Sequence, residues 1–332
     1  MASLRSAWSS RLVSLADVIA GAGVPVTVAA VIWWIVQRIG GARRAAPEVA
    51  WCAAAAIGYV AGELALRARS VQPSAWTEAF GELIRPHDAT DWLPMFAVGA
   101  AVIGIAIVAT WPGRTSWGPW AAAVALCLAL PWRLLAGSRY LPSEELREAG
   151  FGADPWRWQT AEIALPAAAL VAWLTWTAAE PGPQPRIRAG LAVLTAVGAA
   201  ALAGLSGSFS YALSIGAMAA SLGGCAAAAW ISRNPVGPRG AAGPGTLVVA
   251  GMLLCGVAFS EIVWWRAALV GVAWVAAAGR IPWLAASSRK AVVLRAVLCL
   301  LPLAIAVGAA AFDFAEALQQ QSTEPANPYL SL

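Results

Sequence analysis

Histidine and lysine occur once each in these 332 residues, and the five cysteines are scattered through the chain. Without a CxxC spacing or a histidine near any cysteine, the sequence lacks the ligands of a zinc cage or a haem pair, and no Ser-His-Asp site is evident. Cys52, Cys127, Cys225, Cys255 and Cys299 all fall inside apolar runs and read as packed free thiols. Charge is scarce as well: 12% of residues are charged against 60% hydrophobic, with a mean hydropathy of +0.68. A soluble globular domain carries about 25% charge and is excluded. Long polar stretches are also missing. The longest polar interval is about 25 residues, short of the roughly 40 that fold without disulfides or metals, so an appended ATPase or kinase domain is excluded too.

What is present is a series of apolar runs, each near the ~20 residues that cross a hydrocarbon core about 30 Å thick. Ten are counted, near 18–37, 48–66, 92–111, 118–136, 160–179, 188–206, 209–231, 245–264, 267–285 and 291–312. Asp17 interrupts the first, which continues long enough to read as an uncleaved span rather than a secretory signal. Trp51, Trp92, Trp111, Trp117, Trp132, Trp176, Trp230 and the pair Trp264-Trp265 fall near run ends, at the interfacial depth that indole prefers. Trp274 sits mid-span, where packing or lipid contact would explain it. The expected fold is an all-α polytopic transmembrane helical bundle of about ten spans, a single membrane domain over 1–332.

Ten spans divide the loops into two faces, between which the acids separate while the basic residues divide by a narrow margin. The N-terminus and even-numbered loops carry ten basic residues and fifteen of the seventeen acids; the other face carries twelve basic residues with only Glu48 and Glu180. The positive-inside rule makes the basic face cytoplasmic, with both termini outside. The expected home is the cytoplasmic (inner) membrane of a bacterium, with the lipid bilayer as partner. Other membrane subunits are possible partners; nucleic acid is not expected, because the basic residues belong to loops that orientation explains.

Two outer loops are long, 67–91 and 137–159, and each reads as holding a short amphipathic helix. Trp76, Phe80, Leu83 and Ile84 recur at helical spacing in the first. In the second, Ser143 is placed as an N-cap, Glu144 and Glu145 lie in the first turn, and Gly150 stands where a helix would stop. Halves of the chain share only fragments: Leu130-Pro131-Trp132-Arg133 resembles Ile281-Pro282-Trp283-Leu284, and Leu165-Pro166 resembles Leu301-Pro302. The offsets differ, so a five-plus-five transporter repeat is not established.

An ionisable group inside a bilayer costs about 2.5–3.5 kcal/mol on insertion scales, which makes each a functional suspect. Asp17, Glu63, Asp91, Arg133, Glu162, Glu261, Arg266 and Asp313 all lie near the outer ends of spans, where snorkelling or capping accounts for most. Glu63 and Glu261 stand out as candidate proton- or cation-exchanging carboxylates, with Arg266 or Arg133 as the cation that keeps them ionised. His87, Asp88 and Asp91 form the one cluster of metal-ligating types, yet too few for a divalent site without Glu144, Glu145 or Glu148; a turn capped by aspartate is the simpler expectation. No metal or cofactor is expected. Small and hydroxyl residues from Gly204 to Gly224 read as packing between spans six and seven, and Pro25, Pro131, Pro166 and Pro302 as bends.

The leading expectation is a small-solute or lipid transporter or permease. The alternatives are a non-catalytic membrane subunit or assembly factor, whose acidic outer loops would dock a basic partner, and an enzyme acting on lipid-linked substrates at the outer face. The scarcity of catalytic residues favours a non-enzyme.

Overall fold

The structure, a computed structural model, describes residues 19–41, 45–68, 72–110, 117–136, 138, 143–150, 165–177, 185–233, 237–278 and 288–323. Among these, regular structure is helical throughout, as the apolar runs require: backbone groups in hydrocarbon must be satisfied within their own segment. A π-helical turn, Ile19–Gly23, leads into α1 (Val24–Gly40). There follow α2 (Ala46–Ala68), α3 (Pro73–Ile84), a 3-10 turn (Ala89–Trp92), α4 (Leu93–Thr110), α5 (Trp117–Leu135) and α6 (Glu144–Glu148). The second half holds α7 (Leu165–Thr177), α8 (Pro185–Leu205), α9 (Phe209–Ile231), a 3-10 turn (Pro238–Ala241), α10 (Ala242–Phe259), α11 (Trp264–Ala278) and α12 (Arg289–Thr323). The fold is an all-α polytopic bundle.

Among the described residues, eight helices are long and apolar enough to cross a membrane. The fifth and ninth expected spans correspond to α7 and α11, whose described parts are 13 and 15 residues. Contacts between helix ends follow the expected alternation. Arg67 at the end of α2 meets Asp91 in the 3-10 turn before α4, and Arg266 at the start of α11 meets Asp313 on α12. At the opposite face, Glu48 at the start of α2 meets Arg239 just before α10. At about 1.5 Å per residue, the 35 residues of α12 run roughly 50 Å, well beyond a ~30 Å core.

α10 is apolar on every side, so it is buried at the centre, against α4, α5, α7 and α9. Its glycines make room for large neighbours: Gly243 faces the Trp173 ring, Gly245 the Trp274 ring and Gly251 the side chain of Leu93. Trp176 and Trp274 stack with ring centroids 4.8 Å apart. Trp176 Nε1 donates to the Trp274 carbonyl and Trp274 Nε1 to Thr246 Oγ1, each at 3.0 Å. Trp274 is therefore a packing residue, while Trp176 and Trp51, read from sequence as interfacial, are buried in the bundle. Trp117, Trp132, Trp230 and Trp264 are exposed at helix ends, as an interfacial belt requires. Replacing Thr246 by valine strands the Trp274 N–H in an apolar core. The expected cost is about 1–3 kcal/mol, read as a lowered thermal midpoint of the detergent-solubilised protein.

Both loop helices form where the sequence places them. In α3, Ala79 and Leu83 turn inward while Trp76, Phe80 and Ile84 form an exposed i, i+4, i+8 row, so Leu83 does not share the exposed stripe. In α6 the Leu146 N–H donates to Ser143 Oγ at 3.4 Å, and Gly150 adopts φ +86°, the left-handed conformation that ends a helix. Pro131 and Pro302 lie inside α5 and α12. Pro25 lies where the π-helical turn passes into α1, and Pro166 is the second described residue of α7. The five-plus-five repeat gains no support from packing: α8 packs closely on α12, and α1 has no comparable contact with α7 among the described residues.

Candidate functional site

Spacing on α2 builds the site. Tyr59, Glu63 and Arg67 are four residues apart, so they form one stripe of the helix. Glycines at 58 and 62 lie beside that stripe and let neighbouring helices close in. A Cβ at Gly62 would lie 2.9 Å from Ala217 Cβ and 3.1 Å from Pro25 Cγ, and one at Gly58 would lie 2.8 Å from Ala29 Cβ and 2.9 Å from Ser221 Oγ. On α9, Gly224 abuts the backbone of Val26. Small residues thus bring α1, α2 and α9 to near-backbone contact, and the stripe is enclosed between them.

Within this junction Glu63 is buried, and Ser214 Oγ on α9 donates a hydrogen bond to its Oε1. The fully buried Tyr59 hydroxyl lies beside both groups and makes no hydrogen bond of normal geometry to a described residue. Arg67, one turn beyond Glu63, pairs with Asp91 at 2.7 Å through Nη2. Its buried Nε has no hydrogen-bond partner among the described residues. The other Asp91 oxygen accepts the backbone N–H groups of His87 at 3.0 Å and Asp88 at 2.9 Å. The site is therefore a stripe of polar groups on α2, in which Tyr59 lies beside the Glu63–Ser214 pair and the Arg67–Asp91 pair follows one turn beyond. The π-helical turn before α1 packs on the same stretch, with Gly21 against Leu66 and Leu213; such turns concentrate at functional sites.

The other expected residues are placed differently. Glu261 is exposed in the connection between α10 and α11. Arg266 is buried, but its partner is Asp313, and its guanidinium lies 5.2 Å from the Trp265 ring centroid. Arg133 stacks 3.8 Å over Trp92. Neither arginine serves Glu63, because α11 and α5 pack elsewhere in the bundle; the cation near Glu63 is Arg67 from its own helix. His87 and Asp88 are exposed, and it is Asp91, reaching back, that caps their turn. Among the described residues no three His, Cys, Asp or Glu side chains converge on a metal-sized site. Asp17 and Glu162 lie outside the described residues. Compared with known proteins, the chain matches no family pattern, no curated protein and no solved structure.

Sequence reasoning missed Tyr59, Arg67 and Glu48. The four-residue spacing of Tyr59, Glu63 and Arg67 was the available signal. For Ser214, 151 residues from Glu63 in sequence, there was none.

At the basic face Glu48 is buried at the first turn of α2. Its Oε1 accepts Arg239 Nε at 3.0 Å and its Oε2 accepts the Gly240 N–H at 2.9 Å. The turn can approach this closely because it has no side chain there: a Cβ on Gly240 would collide with the Glu48 carbonyl oxygen. Gly240→Ala must push the turn off α2, at an expected cost of about 1–3 kcal/mol. A lower thermal midpoint with loss of the Arg239–Glu48 coupling in a double-mutant cycle would show it.

Proposed function

We propose that the chain is a secondary permease for a small neutral or amphipathic solute, in which Glu63 takes up and releases a proton during transport. The observation that carries this reading is an acidic side chain enclosed at the junction of α1, α2 and α9, held by a hydroxyl from another helix. A carboxyl group in that setting is costly, and membrane bundles retain such groups chiefly in proton and ion pathways. Both protonation states have support here: the protonated form avoids a buried charge, and the charged form has Ser214, Tyr59 and the nearby Arg67 to stabilise it. Interrupted helices belong to the same design: a π turn leads into α1, and prolines lie inside α5 and α12. The apolar walls suit a neutral or amphipathic solute better than an ion.

The same reading puts the protein in a bacterial cytoplasmic membrane with the basic face inward, from the twelve basic residues of the odd-numbered loops against ten on the other face. Reporter fusions at the C-terminus test the orientation: an exported phosphatase is active there and a cytoplasmic fluorescent protein is dark. Transport is tested on the purified full chain in liposomes under an imposed pH gradient, against a panel of neutral and amphipathic solutes. The expected result is saturable, gradient-driven flux of at least one class. Absence of flux for the whole panel, together with stoichiometric co-purification of other subunits from native membranes, would transfer support to the membrane-subunit reading. One feature favours that second reading: residues 311–320 of α12 are all exposed, and they include Phe312, Phe314 and Leu318.

A further inference from the structure

Short connections hold α3 at the rim of the bundle. Residues 69–72 join it to the end of α2, and residues 85–88 lead from it to the 3-10 turn before α4. The Arg67–Asp91 pair ties those two span ends together at 2.7 Å. α3 packs on α2, with Ala79 and Leu83 buried. A four-residue connection reaches under about 20 Å even when extended, so neither end of α3 can stand far from the level at which α2 and α4 leave the hydrocarbon. Arg133 stacked 3.8 Å over Trp92 marks that level, a cation and an indole at the depth both prefer.

The buried edge of Ala79 and Leu83 divides the rest of α3 into two unlike flanks. At about 100° per residue, the row of Trp76, Phe80 and Ile84 is centred about 80° to one side of that edge, and Glu78 and Glu82 about 100° to the other. Phe80 and Ile84 are 53% and 55% exposed, and both glutamates are exposed as well. With its buried edge against the bundle, a helix at the rim turns one flank down toward the bilayer and the other up toward water. Carboxylates are costly in lipid while an apolar row gains there, so the flanks decide the orientation: Phe80 and Ile84 down, the glutamates up. Lipid-facing surface starts at the same level, since Met95 in the first turn of α4 is exposed, as are Val98 and Val102 further along it.

We infer that α3 is an interfacial anchor whose row of Trp76, Phe80 and Ile84 inserts into the bilayer leaflet at the acidic face, among the headgroups and upper acyl chains. The row is covered by lipid and not by a second protein chain. Its seating is apolar rather than electrostatic, because the charges of α3 are acids on the opposite flank, so a zwitterionic leaflet suffices. Anchored in this way, α3 sets the depth of the turn that follows it, where Asp91 accepts the N–H groups of His87 and Asp88 and holds Arg67. This seating is independent of any transport activity.

The test places a nitroxide label on the full chain in phosphatidylcholine nanodiscs, one position at a time, through Glu78→Cys, Phe80→Cys, Glu82→Cys or Ile84→Cys. The five native cysteines are buried, and the wild-type chain taken through the same labelling gives their background. Power-saturation spectroscopy then compares collision of the label with oxygen, which concentrates in hydrocarbon, and with a neutral nickel chelate, which stays in water. The ratio of oxygen to nickel collision is expected to be several-fold higher at positions 80 and 84 than at 78 and 82. Should Phe80→Cys fail to fold, Ile84→Cys carries the comparison. Equal ratios at the apolar and acidic positions overturn the inference, because the row then faces water. Low collision with both reagents at 80 and 84 overturns it as well, because the row is then covered by protein.

Discussion

If the proposed permease reading holds, exchanging Glu63 for glutamine leaves the protein folded and abolishes proton-driven flux. The amide has the shape of the carboxyl group, and its Oε1 still accepts the Ser214 hydroxyl, so the contact between α2 and α9 survives. What is lost is a group that can bind and release a proton. In liposomes under an imposed pH gradient, solute flux is expected to fall to the level of protein-free vesicles. Abundance, elution volume and thermal midpoint stay those of the wild type. Glu261→Gln, at an exposed position in a connection, leaves flux intact. Wild-type flux in Glu63→Gln would overturn the permease mechanism and leave Glu63 as a packing residue.

Asp91→Ala is the substitution expected to cost most in stability. One carboxylate oxygen holds Arg67, and the other holds two backbone N–H groups, so a single change leaves a largely buried guanidinium and two amides without their acceptor. Removing one partner of a buried pair costs about 3–5 kcal/mol, and the position of this pair at the rim puts the expectation near the lower figure. Arg67→Ala is milder, because Asp91 keeps its two backbone donors. The double variant is less destabilised than the sum of the two, a coupling that thermal or denaturant unfolding of all four proteins measures directly. Strict additivity would mean that the ion pair contributes nothing.

The relation of Asp91 to Glu63 shows how far local pattern carries. Each was visible in the sequence as a charge near a span end. The sequence also held the four-residue stripe of Tyr59, Glu63 and Arg67, since helical spacing is a property of neighbours along the chain. It held α3 as well, although the split between Trp76, Phe80 and Ile84 outside and Leu83 inside depends on where α2 lies. Arg133 and Arg266 illustrate the opposite case. Both are single arginines near the same face as Glu63, and nothing local distinguishes them from Arg67. Trp92 beneath one and Asp313 beside the other decided their roles.

By itself the sequence determined that the chain is a helical membrane bundle and roughly where its helices run. These follow from local quantities: the apolar length that spans hydrocarbon, the 3.6-residue repeat and the cost of charge in lipid. The tertiary structure decided which ionisable groups are enclosed and what each one touches. Glu63 became a site and Glu261 a surface residue because α9 brings Ser214 across 151 positions of sequence to one of them. Glu48 met Arg239 across 191 positions in the same way. Such contacts depend on which helices lie side by side, and close packing at glycines settles that only when the whole bundle assembles.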